Sequence, residues 1–583
     1  MMPTGLRGAR LALLFVPISF VSELWLLPTP PPAKIAPPVA LVRAVVFNGD
    51  RRLDGYQRVI IQKGEVVALG PDVMIPDQAV VVDVRGDTIL PGLIDGHVHA
   101  FGGARADALR FGVTTLMDMF GLPSLLQVAR GQRQLRTPTR QADLFGAGYL
   151  ATVEGGHGTQ YGFPVPTLTS STQADSWVDA RLSEGSDYIK VVYGAGGIRR
   201  SLDRATLGAL VKATHARRRK VYVHAVTLEA AEHAIFEGAD ALVHVFGDAP
   251  ASAELLSSMK ARDAFVVSTL AVLRASTGKD AFAPPEGELS PEQEATLSVE
   301  WPGRALPDAV LSTALANVAA FHRAGIPVIA GSDAPNPGTA QGVSLYAELR
   351  LLVKAGLSPQ EALRAATGEA ARVFGLADRG CVEVGCRADL LRVAGDPTED
   401  ITAVEDLVAV WKNGASVLRT HDAALEALKG GPVDDWGTNW VPTSDCRRGG
   451  RSTASIPSTA KGRMRVVGEV RPGSTGHDAG GTWAGASLPL SSDWGMERGL
   501  DGIQSVHFQV RGTPGTYRFL ILQARSREEP AGADFPVTAD WQPVHLLLTD
   551  MRPDEDRGLR GISVVTGGMS GRFELEVREM VFE

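Results

Sequence analysis

At 583 residues the chain exceeds what one hydrophobic core supports, so two or three domains are expected. A composition of 44% hydrophobic and 21% charged residues is that of an ordinary globular protein, not a disordered or fibrous one. The net charge of −8 is spread over both signs with no polybasic run, which excludes nucleic acid as a partner, because phosphate binding needs clustered Lys and Arg.

Residues 1–38 stand apart. Arg7 and Arg10 precede the apolar run "LALLFVPISFV", and a proline-rich linker, "PTPPPAKIAPP", follows. This is the pattern of a secretory signal, so export to the periplasm or beyond is expected. No A-x-A cleavage pattern follows cleanly, and "SELWLL" prolongs the apolar stretch to Leu27. A membrane tether through the N-terminus stays open, although Pro17 and Glu23 weaken the segment as a span.

Residues 39–88 carry short alternating strands, "ALVRAVVFNG", "RVIIQKGEVVALG" and "AVVVDVRG", separated by turn-forming Gly and Asp. Residues 89–374 then alternate apolar runs with amphipathic segments. The runs are "TILPGLIDGHVH", "TTLMDM", "ADLFGAG", "DYIKVVY", "KVYVHA", "ADALVHVF", "AFVVSTL" and "IPVIAGSD". That alternation predicts an α/β fold, a parallel (β/α)8 barrel of the TIM type. In "SPQEALRAATGEAARVFGL", Ser358, Pro359 and Glu361 form a capping box with proline at the first helical position, which starts a helix there.

Residues 375–420 return to strand character in "CRADLLRVAGD" and "DLVAVWKNGASVL". They are expected to pair with the 39–88 strands into one small composite β-sandwich built from both flanks of the barrel. A linker at 421–432 leads to residues 433–583, where Gly, Ser, Arg and Trp rise and helical periodicity ends; this reads as a separate all-β domain. Of the three cysteines, Cys381 and Cys386 are close enough in sequence to bond, but two small buried residues on a strand pair is the expectation; neither they nor Cys446 is given a metal role.

In a barrel of this type, reactive groups project from the C-terminal ends of the strands. The first strand supplies His97 and His99, two apart and therefore on one face, so both imidazoles can reach one metal ion. The fourth supplies Lys190, the fifth His224, the sixth His244 and the eighth Asp333. Singly, these read as a hydrogen-bonded core histidine, a snorkelling lysine or a turn aspartate. Together, on one rim and in this order, they read as a site. His215, His233 and His322 fall on predicted helices, and His477, His507 and His545 lie in the C-terminal domain without ligand spacing.

"PGLIDGHVH", "FGVTTLMD", "VEGGHG", "DYIKVVYGAGG", "VYVHAVTLEAAEHAIFEGADALVHV" and "VIAGSDAP" resemble the amidohydrolase superfamily, over roughly residues 40–420. Within it the chain looks most like the metal-dependent dipeptidases related to imidazolonepropionase. The resemblance implies two divalent cations, zinc being the expected metal. His97, His99 and Asp333 would hold the more buried ion and His224 and His244 the more exposed one, with Lys190 bridging them as a carboxylated lysine. It implies a metal-bridging hydroxide attacking a carbonyl, with Asp333 shuttling its proton to the leaving group. His157 in "EGGHG" is the implied hydrogen-bond partner of the substrate carbonyl, and Tyr193 a second substrate contact. Asp118 is expected to support the site structurally. Mononuclear relatives place a glutamate three residues after the fifth-strand histidine; that position here is Thr227, which favours two metals and counts against imidazolone ring opening.

"DWGTNWVPTSDCRRGGRST", "GGTWAGASLPL", "GIQSVHFQVRGTPGTYRFLIL" and "WQPVHLLL" resemble the complex I intermediate-associated protein domain, a galactose-binding-like jelly roll. That implies a glycan or protein partner, with Trp440, Trp483 and Trp541 divided between a sugar platform and core packing. The expected activity is hydrolysis of a C–N amide bond in a small substrate, a dipeptide or N-acyl amino acid. A lactonase or phosphoesterase on the same site, and a relict barrel carrying a binding jelly roll, are the alternatives. Oligomeric state stays open.

Overall fold

The computed structural model describes residues 37–161, 165–194, 200–278, 289–301, 305–417 and, further on, stretches between 441 and 582. The N-terminal segment read as a leader, and the linker at 421–432, lie outside the described residues. No helix among the described residues is long and apolar enough to cross a membrane.

The central unit has eight parallel strands. Strands β1 (Leu93–Val98), β2 (Val113–Asp118) and β3 (Asp143–Gly146) form one sheet. Strands β4 (Ile189–Val192), β5 (Val221–His224), β6 (Ala241–Leu242), β7 (Phe265–Val267) and β8 (Val328–Ile329) form another. The two sheets meet at both margins. Ala151, just past β3, bridges Val191 of β4, its amide donating to the Lys190 carbonyl at 2.8 Å. Val98 bridges Ala334 beyond β8, and the His99 amide donates to the Ala334 carbonyl at 2.8 Å.

Helices follow the strands where the intervening sequence carries an apolar stripe, and those after β4, β5 and β6 also begin at a capping side chain, Asp203, Thr227 and Ser252. In Arg204–Ala216, Asp203 accepts from the Thr206 amide at 2.7 Å, and Leu207, Leu210, Val211 and Thr214 face inward at helical spacing. One core layer lies between strands and helices, as with Leu242, Val266 and Leu349; a second lies among the strands themselves, with Ile94, Tyr222, Phe265 and Ile329. Ala370, Ala371 and Val373 join this second layer from the helix Gly368–Phe374, at the strand ends away from the histidines.

Three expectations change here. The run "TILPGLIDGHVH" is two strands, since Thr88–Pro91 pairs antiparallel with Leu390–Val393 and only Leu93–Val98 enters the central unit. The break falls at Gly92, where a Cβ would stand 2.3 Å from the Thr114 side chain. The segment begun by the Ser358 capping box is likewise two helices, Pro359–Ala365 and Gly368–Phe374, parted at Thr367. Thr367 has φ −139° and ψ −105°, outside the helical region, and a Cβ on Gly368 would lie 2.3 Å from the Gly49 carbonyl. Finally, Cys381 and Cys386 form a disulfide, Cα atoms 6.1 Å apart, where free buried thiols were expected. The backbone folds back between them, the Cys386 amide donating to Glu383 at 3.0 Å, and this turn brings the two side chains together.

The flanking strands do combine: eight of them are linked in one sheet that folds into two layers over a shared core. The reason is strand Val39–Val46. Its first half pairs with Val80–Asp83, its second with Thr88–Pro91, and between them Arg43 at φ +57° interrupts the register with Gln57–Gln62. The sheet bends there, so Leu41 and Val59 from one half share a core with Leu390 and Trp411 from the other.

The C-terminal unit is all-β. Two five-stranded antiparallel sheets share one core, Val466, Phe508 and Leu575 on one side against Ala486, Phe519 and Val564 on the other. Trp541 is outside that core: the guanidinium carbons of Arg511 and Arg578 stand 5.0 and 4.1 Å from its ring centroid. Trp440 and Trp483 lie outside the described residues.

Candidate metal centre

The ends of β1, β5, β6 and β8 converge. His97 Nε2 and His99 Nε2 lie 3.2 and 3.1 Å from the same atom, Asp333 Oδ1, and ligand atoms of these three residues all fall within 4.8 Å of one another. The rings continue as a chain: His97 to His244 at 4.6 Å between centroids, His244 to His224 at 4.5 Å, and His224 to His157 at 5.1 Å. Lys190 and Val192 sit on the inner face of β4, since Ile189 and Val191 belong to the strand–helix layer. The Lys190 charge acts on His97, His224 and His244, and Asp333 and Asp118 act on Lys190 in turn.

The donor set suits a cation. His97 Nδ1 donates to the Val243 carbonyl at 2.7 Å, which leaves the Nε2 lone pair facing Asp333. His97 Nε2, His99 Nδ1 and Asp333 Oδ1 are buried without a hydrogen-bond partner, an arrangement that folding alone does not favour. Burial holds the imidazoles of His97, His224 and His244 well below their ordinary pKa, so all three are neutral and able to ligate at neutral pH. Burial also lowers Lys190, to about 7, against the opposing pull of Asp333 and Asp118. A fraction of its amine is therefore neutral and nucleophilic under ordinary conditions.

Several residues hold this geometry without being ligands. Asp95 accepts from the His97 amide at 3.2 Å and, across to the end of β8, from the Ser332 amide at 2.9 Å and hydroxyl at 2.6 Å. Burial lifts its carboxyl to about 7. Asp118 accepts from the Ala100 amide at 2.9 Å and is lifted to about 6 by burial, consistent with the supporting role expected of it. Gln341 Nε2 donates to the carbonyls of His99 and Ala334 at 3.1 and 2.9 Å, joining the first and last strand ends. A single sequence gives little sign of Gln341, but an aspartate inside the apolar run before His97 is a visible irregularity.

The "EGGHG" loop places His157 beside His224. A Cβ on Gly156 would lie 2.4 Å from Thr152 Oγ1 and 2.9 Å from the Val153 carbonyl, so only glycine fits there; Gly158 takes φ +99°. Tyr193 goes elsewhere. Odd-numbered residues of β4 face the helices, and its hydroxyl meets His233 Nδ1 at 3.0 Å in a cavity of about 290 Å³ lined by Ser201, Thr227 and Glu229. The expected substrate contact at Tyr193 is not formed on the face that carries the histidines. Thr227 caps the helix Leu228–Phe236, accepting from the Ala230 amide at 3.2 Å.

A parallel α/β unit with three convergent candidate ligands at its strand ends has the arrangement of a metal-assisted hydrolase. Residues 88–417 match the family model described as "Amidohydrolase family", and the chain belongs to that family, a hydrolase acting on carbon–nitrogen bonds. Imidazolonepropionase of Cereibacter sphaeroides is 28% identical over 377 residues, which span 58% of this chain and 89% of that protein. Among solved structures, a Xaa-Pro dipeptidase with bound methionine in the active site aligns with a TM-score of 0.53 at 19% identity, covering 65% of this chain and 99% of that one. The ochratoxinase of A. niger aligns with a TM-score of 0.52 at 19% identity, covering 65% and 95%. These structural likenesses establish a common fold.

Proposed function

We propose that the protein is an exported amidohydrolase with two divalent cations, hydrolysing the amide bond of a dipeptide or N-acyl amino acid within a closed (β/α)8 barrel. The observation that carries this is the convergence of His97, His99 and Asp333, with buried lone pairs lacking partners, beside His224, His244 and Lys190. His97, His99 and Asp333 would hold one ion and His224 and His244 the other, with Lys190, if carboxylated, as a further shared ligand. Zinc suits this mixture of imidazole and carboxylate ligands. Cations bound there supply Lewis acidity and acidify water toward neutral pH.

The chain's own residues do the rest. Asp333 stands beside the attacking water, takes its proton and delivers it to the departing amine. His157, stacked over His224, donates to the carbonyl oxygen as negative charge builds on it. The Cys381–Cys386 disulfide and the apolar leader both favour an oxidising compartment. The C-terminal unit, read as a jelly roll, serves as an accessory that binds a glycan or a protein partner.

Imidazolone ring opening is the second reading, raised by the 28% identity to imidazolonepropionase. Thr227 tells against it, because a helix-capping hydroxyl stands where a proton-shuttling carboxylate is expected.

The test is metal analysis of protein produced with bicarbonate, followed by hydrolysis assays on dipeptides, N-acyl amino acids and imidazolonepropionate. Two metal equivalents are expected, and Asp333→Asn should cost about 10²–10⁴-fold in kcat. Full amide hydrolysis by metal-free protein would overturn the proposal, and turnover of imidazolonepropionate alone would replace it with the second reading.

A further inference from the structure

Strands β7 and β8 end alike. Just past each comes a serine followed by a non-glycine residue in the left-handed region: Ser268, directly after β7, then Thr269 at φ +48°, and Ser332, a short way beyond β8, then Asp333 at φ +54°. In both pairs a buried carboxylate from another element grips the serine. For Ser332 that group is Asp95. For Ser268 it is Glu348, from the helix Val343–Lys354, which takes the serine hydroxyl on one oxygen and the Ala271 amide, at 2.6 Å, on the other. Glu348 thus holds the chain on both sides of Thr269. Ser268 Oγ also lies 3.1 Å from the Ile329 carbonyl, so the grip reaches β8 as well.

Thr269 is β-branched, and such a residue adopts positive φ only where its surroundings impose it. What the conformation delivers is its hydroxyl, 2.9 Å from His244 Nδ1. Asp333 Oδ2 is farther from that nitrogen, at 3.9 Å. When Nδ1–H donates to Thr269 Oγ1, the imidazole lone pair is on Nε2 and the ring cannot swing. Glu348 itself is completely buried, where an apolar side chain would pack without any desolvation cost. A carboxylate at such a place has work that packing does not explain.

We infer that Glu348 is a positioning residue for His244. It imposes the Thr269 backbone, and the Thr269 hydroxyl fixes the tautomer and orientation that present His244 Nε2 to the ion shared with His224. This rests on the reading above that His224 and His244 hold a second cation.

The test is zinc binding by the full chain, titrated against a chelator and read by metal content, in Thr269→Ala, Thr269→Ser, Glu348→Met and Glu348→Gln. Loss of the hydroxyl in T269A, or of both anchors in E348M, should weaken the less tightly held zinc by about 10–100-fold. T269S keeps the hydroxyl and E348Q keeps one acceptor and one donor, so both should bind zinc as the unmodified chain does. Melting of the metal-free forms separates misfolding from lost positioning: T269A should melt with the unmodified chain. Unaltered zinc affinity in T269A overturns the inference while leaving the two-ion reading intact. Uptake of one equivalent by the unmodified chain overturns that reading, and this inference with it.

Discussion

Far from water, a carboxyl gives up its proton late: burial raises Glu348 to about 7 from the ordinary 4.5. Between those values the folded protein keeps a proton that the unfolded chain has released. The stability tied to this group is therefore complete below about pH 4.5 and is lost as pH rises through about 7. Asp95, raised to about 7 for the same reason, adds a slope of the same sign. Glu348→Gln removes one titrating group and leaves the other. Urea midpoints measured from about pH 5 to 8 should fall less steeply in that variant than in the unmodified chain. Parallel curves would mean that Glu348 ionises at its ordinary pH in the folded state. His97 and His244 follow the opposite rule for bases: burial keeps them neutral, and neutrality is what ligation requires.

The loop that carries His157 turns on a glycine that has no room for a methyl group. Gly156→Ala puts a carbon against Thr152, the Val153 carbonyl and, at 3.1 Å, the Arg200 carbonyl. Backbone oxygens cannot yield as a flexible side chain would, so the loop must shift and take His157 with it. Hydrolysis should drop by roughly 10²-fold, the usual cost of misplacing a reacting group by about 1 Å, while bound metal stays unchanged. Unimpaired turnover in the variant would show that His157 does not touch the reacting carbonyl. Elements of this size were unevenly legible in the sequence. Apolar runs located the eight central strands and the capping box located the helix start at Ser358, because each is a local signal; the pairing of the two flanks is long-range and rested on strand character at both ends of the unit. Local patterning missed the break at Thr367, the division of the first strand at Gly92 and the bend in Val39–Val46, since all three depend on what another segment presses against the chain. Tyr193 lies on the helix-facing side, as alternation along β4 from Lys190 requires. The candidate histidines are legible because they fall at strand ends, whereas Thr269 and Gln341 make contacts that no spacing announces.

Across the central unit and its flanking sheet runs a buried ion network. Lys412, fully enclosed, donates to Asp143 at 2.9 Å and to Asp389 at 2.7 Å, and Arg379 donates to the same Asp143 oxygen at 2.7 Å. Burial alone would raise Asp143, but Lys412, Arg379 and Arg387 outweigh it and hold the carboxyl at about 2. These contacts tie the start of β3 to the flanking strands. Lys412→Met would strand Asp389 without a cation and should cost roughly 3–5 kcal/mol in denaturant unfolding, with the metal site untouched in whatever protein remains folded. A change under about 1 kcal/mol would mean that water or the neighbouring arginines replace the lysine.

The pairing of Thr88–Pro91 with Leu390–Val393 has a consequence in time. A chain emerging from the ribosome displays the first of these strands about three hundred residues before its partner exists, and every residue of the candidate metal centre is made in that interval. That strand's edge must stay unpaired throughout, with a large loop-closure cost still to be met. Were the chain exported unfolded, as proposed above, a late-closing seam of this kind would keep it threadable until its last strands arrive.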